Sequence, residues 1–286
     1  TYTIVDSEDP GDIITCTATA TDSDGGTDTG TDSATVTNTD PVMTTVTVSP
    51  STGQVGDTLT CAATATDTDG GTPTLSYAWP DGSTAATYTI VDSDDPGDTI
   101  TCTATATDSD GGTDTGTDSA TVTNTDPVMA TVSVSPSTGQ VGDVLTCSAS
   151  ASDADAGTPT LSYAWPDGST AATYTIVDSD DPGDVITCTV TATDSDGGTD
   201  TGTASATVTN TDPELSTVSI SPSTANNDDT LTCSATATDA DGGTPTISYA
   251  WSGSTSGSLG SGSSIDLSTT AAVSGETITC TATATD

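Results

Sequence analysis

Residues 100–108 read ITCTATATD, and residues 59–67 read LTCAATATD. In the first stretch Ile100, Cys102, Ala104 and Ala106 share one parity, while Thr101, Thr103, Thr105 and Thr107 share the other. In the second, Leu59, Cys61, Ala63 and Ala65 fall into line in the same way. Successive side chains of an extended backbone point to opposite faces, so a period of two describes a strand with one apolar and one hydroxyl face. Thr and Ile are β-branched and fit that backbone well. The helix signal is missing: Lys is absent, Glu occurs only at positions 8, 214 and 276, and no apolar 3.6-residue period runs anywhere. Intrinsic disorder is the alternative for a chain with 31% hydrophobic residues and no Phe. Strict alternation decides against it, and the chain reads as all-β.

These strands recur. Cys16, Cys102 and Cys188 stand 86 residues apart, as do Cys61, Cys147 and Cys233, Trp79, Trp165 and Trp251, and Pro41, Pro127 and Pro213. A domain-sized period means a tandem array. The expected division is a C-terminal half module at 1–40, modules at 41–126 and 127–212, and a module lacking its last strand at 213–286. Residues 1–40 align with 87–126, so the sequence is expected to be an internal window of a longer repetitive polypeptide. From Pro41 the strands read TVTVS, DTLTCAATAT, LSYAW, ATYTI, DTITCTATAT and SATVTNT. The breaks are STGQVG, DTDGGTP, PDGS, VDSDDPG and DSDGGTDTG, dense in the Gly, Pro and Asp that turns need. Six or seven short strands at this spacing describe a β-sandwich.

Within each repeat a Trp lies between two inward-facing cysteines: Cys61, Trp79, Cys102; then Cys147, Trp165, Cys188; then Cys233, Trp251, Cys280. This arrangement resembles the immunoglobulin fold. With YAWPDG and TATDSDGG it is similar to the tandem Ig-like and PKD-like repeats of bacterial surface and filament proteins. The resemblance implies Ig-like sandwiches of about 86 residues, each with a disulfide between strands B and F: Cys61–Cys102, Cys147–Cys188 and Cys233–Cys280. It also implies Trp packing on the bridge, and surface display with a spacing or adhesive role. Ile100 and Ile186 stand where antibody-type domains carry a Tyr before the second Cys, so a tyrosine corner is not expected. Inward positions are mostly Ala and Val, and small secreted domains with thin cores use disulfides to compensate. Metal ligation by the thiols is the competing reading, but neither CxxC spacing nor any His supports it. The implied compartment is oxidising, extracellular or at the cell surface.

Charge excludes much. There is no Lys, Arg or His, and 42 acidic residues give a formal charge of −42. Without cations to neutralise phosphates, nucleic-acid binding is excluded, and so is attraction to an anionic membrane. No apolar run approaches the roughly 20 residues of a membrane span. Catalysis has no His or Lys base and no nucleophile or phosphate-loop motif, so no enzyme is expected. The absence of Lys also excludes Lys–Asn isopeptide bonds.

The acids cluster in turns. In an Ig sandwich the E–F loop of one module faces the B–C and F–G loops of the next. At Pro127 the facing groups would be Asp57, Asp92, Asp94, Asp95, Asp98 and Asp126 with Asp153, Asp155, Asp194, Asp196 and Asp200. Short carboxylates in Gly-rich loops suit a hard cation, and Ca2+ is the expected ion, stiffening junctions much as in cadherin-like repeats. The other readings are that Asp and Gly simply make turns, or that salt screens the repulsion. Outward Thr and Ser are expected acceptors for O-glycans, although Thr is also a good β former; no N-x-S/T sequon exists. Function reads as a segment of an extracellular filament or surface stalk, whose partner is itself or the continuation of the same chain. The alternative is an adhesin or ligand-binding repeat region, with a modular enzyme's spacer as a third.

Overall fold

The computed structural model describes residues 1–155 and 157–286. It divides into two compact units, Thr1–Val128 with Ser152–Pro159 and Thr193–Thr199, and Met129–Ala151 with Thr160–Ala192 and Asp200–Asp286. Apart from one 3-10 turn at Leu267–Thr269, all regular structure among the described residues is strand. No helix among them is long and apolar enough to cross a membrane.

The first unit opens with an antiparallel hairpin, β1 (Ile13–Thr21) and β2 (Thr27–Thr35). Next come β3 (Val42–Ser49), β4 (Thr52–Gly53), β5 (Thr58–Thr66), β6 (Thr74–Ala78), β7 (Thr87–Thr89), β8 (Thr99–Thr107) and β9 (Thr113–Val122). They form two sheets, ordered β3-β5-β7 and β4-β9-β8-β6. The chain changes sheet between β3 and β4, where Ser49–Pro50 is cis. Alternation sets what is buried. In β8 Ile100, Cys102, Ala104 and Ala106 are all buried, as the pattern ITCTATATD requires. Cys61 of β5 is bonded to Cys102 of β8, joining the two sheets. Around that bridge pack Leu59, Trp79, Tyr88, Ile90, Ile100, Ala120 and Val122. The Trp79 and Tyr88 rings lie 5.4 Å apart, and the indole Nε1 donates to Ala85 O at 2.9 Å. In the hairpin, which has no such sheet across from it, Cys16 is an exposed free thiol.

The second unit carries the same arrangement 86 residues on: β10 (Val128–Ser135), β11 (Thr138–Gly139), β12 (Val144–Ser152), β13 (Thr160–Ala164), β14 (Thr173–Thr175), β15 (Val185–Thr193) and β16 (Thr199–Val208). Its sheets are β10-β12-β14 and β11-β16-β15-β13, with Cys147 bonded to Cys188. Trp165, Tyr174, Ile176 and Val190 fill the core beside that bridge. The remaining strands are β17 (Glu214–Leu215), β18 (Ser219–Ser221), β19 (Thr230–Ser234), β20 (Ala237–Thr238), β21 (Thr246–Gly253), β22 (Gly257–Ser261), β23 (Ser264–Asp266) and β24 (Ile278–Thr285). The sheets β18-β19-β23 and β22-β21-β24 are joined by Cys233–Cys280. Leu231 pairs with Ile265 as Leu59 pairs with Tyr88, so Ile265 and Leu267 take the places of Tyr88 and Ile90 beside Trp251.

Two segments read as breaks are strand. TDTG, placed in the turn DSDGGTDTG, is the first half of β9 and of β16; and Thr52–Gly53, inside STGQVG, pairs in parallel with Thr121–Val122. The reason for the first lies in the inward face of β9: Asp114, Gly116, Asp118, Ala120 and Val122. Asp114 Oδ2 accepts from Met43 N and Asp118 Oδ2 from Val48 N, each at 2.7 Å. These carboxylates satisfy N–H groups of β3, the edge strand of the facing sheet. A buried polar group is tolerated when it is hydrogen-bonded. Gly116 between them has no room for a side chain, because a Cβ there would meet Val46 Cγ2 at 2.8 Å. In β16, Asp200 Oδ2 likewise takes Met129 N at 2.7 Å, and Ala204 stands where β9 has Asp118.

Candidate junction sites

The sequence TNTDP recurs between repeats, and its residues are held from both sides. In the first unit Thr123 N donates to Gly53 O at 2.8 Å, and Gln54 Nε2 donates to Asn124 O. Farther along, Asn124 Nδ2 donates to Asp194 Oδ2 at 3.0 Å. Thr125 donates twice to the Asp155 carboxylate, through its backbone N–H and through Oγ1 at 2.8 Å. The same clamp occurs 86 residues earlier, where Asn38 Nδ2 donates to Asp108 Oδ2 at 3.1 Å and Thr39 N to Asp69. In the second unit Gln140 Nε2 donates to Asn210 O, and Thr211 gives Asp241 both its N–H and its hydroxyl. Asp155 and Asp241 are only 6% and 8% exposed, the two buried carboxylates among the described residues. Hydrogen bonds to carboxylates are about twice as strong as neutral ones, so these are the firmest ties the linkers have.

The loops presenting these acids are built by the DxDGG turn. Asp108 Oδ1 accepts from Asp110 N and Gly112 N at 2.9 and 2.8 Å, which folds the loop back on itself. Gly111 has φ 97°, a backbone conformation that favours glycine. Gly112 matters for space: a Cβ there would lie 2.7 Å from Asn38 Nδ2 and 2.5 Å from Asp40 Oδ1. Asn38 and the surrounding backbone donors hold the Asp108 carboxyl below its ordinary range, and Asn124 does the same for Asp194.

The structure does not bring all the predicted cation ligands together. Asp57, Asp94 and Asp98 are engaged in their own turns: Asp57 accepts from Gln54 N, Asp94 from Tyr88 Oη and Val91 N, and Asp98 from Asp95 N. Burial and the Asp94 carboxylate push the Tyr88 hydroxyl up to about 12. Asp200 lies on a strand, where the N–H of Met129 lowers its pKa. Asp126, Asp153, Asp155, Asp194 and Asp196 lie on the linker or the loops around it. Asp153 accepts from Asp155 N, and Asp196 from Ser195 Oγ. The counterparts of Asp92, Asp95, Asp153, Asp155 and Asp196 one repeat earlier are Asp6, Asp9, Asp67, Asp69 and Asp110. Together they line one hollow of about 430 Å³ with Pro10, Gly70, Gly71 and Ser109. Among the described residues no three carboxylate, Cys or His side chains are close enough to hold a metal by themselves. One unsatisfied oxygen stands out: Asn124 Oδ1 is buried with no hydrogen-bond partner. On the other side of the same amide, a Cβ at Gly198 would meet Asp194 Oδ2, Asp126 Oδ1 and Asn124 Nδ2.

Sequence reasoning missed the linker clamp and Glu276. The Glu276 carboxylate accepts from Val273 N, Thr255 N, Ser256 N and Ser256 Oγ, pinning the β21–β22 turn. These donors lower its pKa to about 2. The signal for the clamp was the invariance of NT in TNTDP across the repeats; its partners lie 30 and 70 residues away.

No family model and no curated protein matches the chain. Among solved structures it is similar to one described as a Ca2+-stabilized adhesin that helps an Antarctic bacterium reach out and bind ice, at 20% identity, TM-score 0.26, covering 94% of this chain and 73% of that one. A second concerns host cell surface retention of a 1.5-MDa bacterial ice-binding adhesin, at 15% identity, TM-score 0.27, covering 75% and 81%. A third is the protocadherin GammaB4 extracellular domain, at 16% identity and TM-score 0.30, covering 83% of this chain and 46% of that one, about half its length. At these scores the likenesses carry no argument about what this chain does.

Proposed function

We propose that the chain is a structural segment of an extracellular filament or cell-surface stalk. Its Ig-like modules run over 41–126, 127–212 and 213–286, preceded by the C-terminal half of another at 1–40, with the disulfides between strands B and F. The observation that carries this reading is the linker clamp, repeated at Thr39, Thr125 and Thr211. A chain whose repeats only had to be tethered would leave such a linker solvated; here each linker gives its polar groups to the next loops. Near-identical repeats supply length, and three disulfides suit an oxidising compartment. Calcium is the ion we assign to the junctions, because the donors are hard oxygens and the chain has no cation of its own. Asp126, Asp194 and Asn124 Oδ1 would hold it together with water. Lateral or end-to-end association with the same kind of chain, and O-glycans on outward Thr and Ser, belong to the same proposal.

The test is thermal melting and small-angle scattering with and without a calcium chelator at fixed ionic strength. An ion bound only to the aligned state stabilises it by about 2.7 kcal/mol at a hundredfold excess over Kd. Chelation should therefore lower the melting temperature and shorten the particle's maximum dimension. Unchanged profiles would reject calcium, and electron micrographs of the native material showing no filament would reject the structural reading itself. A second reading, an adhesive role, is favoured by one feature: among the described residues, the β21–β22 turn that Glu276 pins occurs in the last repeat alone. Removing that turn would abolish adhesion under this reading and leave a filament intact under the first.

A further inference from the structure

β6 reads Thr-Leu-Ser-Tyr-Ala and ends its sheet, paired only with β8 among the described residues. The uncovered flank shows in burial: Leu75 and Tyr77 are half-buried, where Ile100, Cys102, Ala104 and Ala106 of β8 are buried. The last repeat shows what this edge can take. There Tyr249, the counterpart of Tyr77, accepts from Gly262 N at 3.0 Å, and β22 pairs with Ala250–Gly253 on the side of β21 away from β24. Backbone groups of residues two apart point to the same side of a strand, so Leu75 and Tyr77 both present N–H and C=O at the outer edge of β6. Edges are normally guarded by charge, Pro or a bulge. β6 has no charged residue and no Pro, and its register with β8 runs without a shift. The nearest acids along the chain are Asp69, five residues before Thr74, and Asp81, three after Ala78. The same five residues recur as β13, again at the end of a sheet.

We infer that the outer edge of β6 is a pairing surface whose occupant is β6 of a second copy, the two strands running antiparallel about a two-fold axis at Ser76. This rests on the lateral association proposed above and names the surface that makes it. In that register Leu75 lies opposite the partner's Tyr77, and the two exchange both of their outward backbone bonds. An isologous contact repeats the exchange on the other side of the axis. Leu75 and the partner's Tyr77 share the inner face and give each other the cover that the edge lacks. On the hydroxyl face Ser76 meets the partner's Ser76, with about 4.5 Å between their Cα atoms. A second copy fits because the strand is self-complementary about Ser76, and because a chain with 42 acids and no cation can approach its own kind closely only over uncharged ground. Asp69 and Asp81 beyond the strand ends repel their counterparts, so added salt strengthens the pairing.

The experiment uses the intact 286-residue chain with Cys16→Ser throughout, so that the exposed thiol does not cross-link. Sedimentation equilibrium should show association that grows with sodium chloride. Ser76→Asp together with Ser162→Asp should weaken it at least about fivefold, since like charges directly opposite one another destabilise a strand pair. Both serines lie on the exposed face, so unchanged thermal melting of this variant separates lost pairing from lost folding. Position is read by oxidation: Ser76→Cys should give disulfide-linked dimers several-fold faster than Thr74→Cys, because the two copies of residue 74 would stand four residue steps, about 14 Å, apart. A wild-type chain that stays monomeric at all salt concentrations, association untouched by the two aspartates, or equal cross-linking of the two cysteine variants would overturn the pairing. Filaments in micrographs beside any of those results would leave the stalk reading standing while this surface fails.

Discussion

Replacing Asp155 by Ala removes the acceptor of both Thr125 bonds, and the expected size of that loss can be worked out. A hydrogen bond to a charged group contributes about 1.5–3 kcal/mol. Thr125 is half-buried, so water can replace part of what is lost, and about 1 kcal/mol per bond is the fair figure at this site. The clamp is then held by about 2 kcal/mol, roughly a thirtyfold ratio between closed and open linker. Against this, deleting a carboxylate relieves repulsion from Asp153 and the neighbouring loops. Two unit charges 4 Å apart in water repel by about 1 kcal/mol, and less in physiological salt. Loss of the clamp should win, by a margin that widens as salt is added. Amide hydrogen exchange resolves the question. The Thr125 amide should exchange about ten- to thirtyfold faster in Asp155→Ala, while the Thr39 and Thr211 amides serve as unchanged controls. Asp155→Asn keeps one acceptor oxygen and should fall between wild type and Ala. If Thr125 exchange stays within about twofold of wild type, or if Asn and Ala are both slower than wild type at low salt, then repulsion dominates and the clamp argument is refuted.

The three remaining expectations of stability need only standard measurements. Replacing Cys61 and Cys102 together by Ala opens a loop of 41 residues and should cost about 4 kcal/mol in denaturant unfolding of that sandwich, whereas Cys16→Ser, at an exposed free thiol, should cost nothing measurable. Asp118→Ala leaves Val48 N–H without its acceptor and should destabilise by about 1 kcal/mol; a change near zero would show that Ala204 is the neutral state of this position. Tyr88 and Tyr174 are raised to about 12 in the fold, so the stability they hold is complete below pH 10 and is lost as pH rises from 10 to 12; phenolate absorbance of these two residues that develops fully by pH 10 would refute their burial beside Asp94 and Asp180.

Much of the fold was legible because alternation and the cysteines speak about one strand at a time. Ile100, Cys102, Ala104 and Ala106 share a parity, and that parity is the buried one. What escaped reading were residues whose justification lies on another element. TDTG carries acids and a glycine, which locally favour a turn. It is strand because Asp114 finds Met43 N–H and Gly116 admits Val46 from the facing sheet. The linker bonds escaped for the same reason: Asn124 and Thr125 are ordinary turn residues until Asp194 and Asp155 are brought to them. Acid clusters in sequence also overstate acid clusters in space. VDSDDPGD looks like a single cation cradle, yet Asp94 and Asp98 point back to close their own turns, and only Asp92 and Asp95 have counterparts lining a hollow.

That division bears on where a cation would act. With no Lys, Arg or His, every carboxylate in this chain must find N–H or O–H donors, water or an added ion. Where an aspartate already caps a backbone N–H, an ion has to displace a bond that is itself charge-assisted, and it gains less for doing so. Asp155 and Asp94 are such cases. Asp194 is such a case too, capped by Asp196 N and Gly198 N, whereas the Asn124 linker adds an acceptor of another kind. Asn124 Oδ1 has no partner, and Asp126 and Asp194 bring two carboxylates to the same glycine. An oxygen that is buried and unpaired carries a cost of about 1–3 kcal/mol, which a cation removes on binding. Calcium should therefore owe more of its stabilisation to Asp126 than to Asp94. In Asp126→Asn the rise in melting temperature on adding calcium should shrink markedly, while in Asp94→Asn it should persist on a lower baseline. Equal calcium responses in the two variants would place the ion, if it binds, away from the Asn124 linker, and would leave that unpaired oxygen to water.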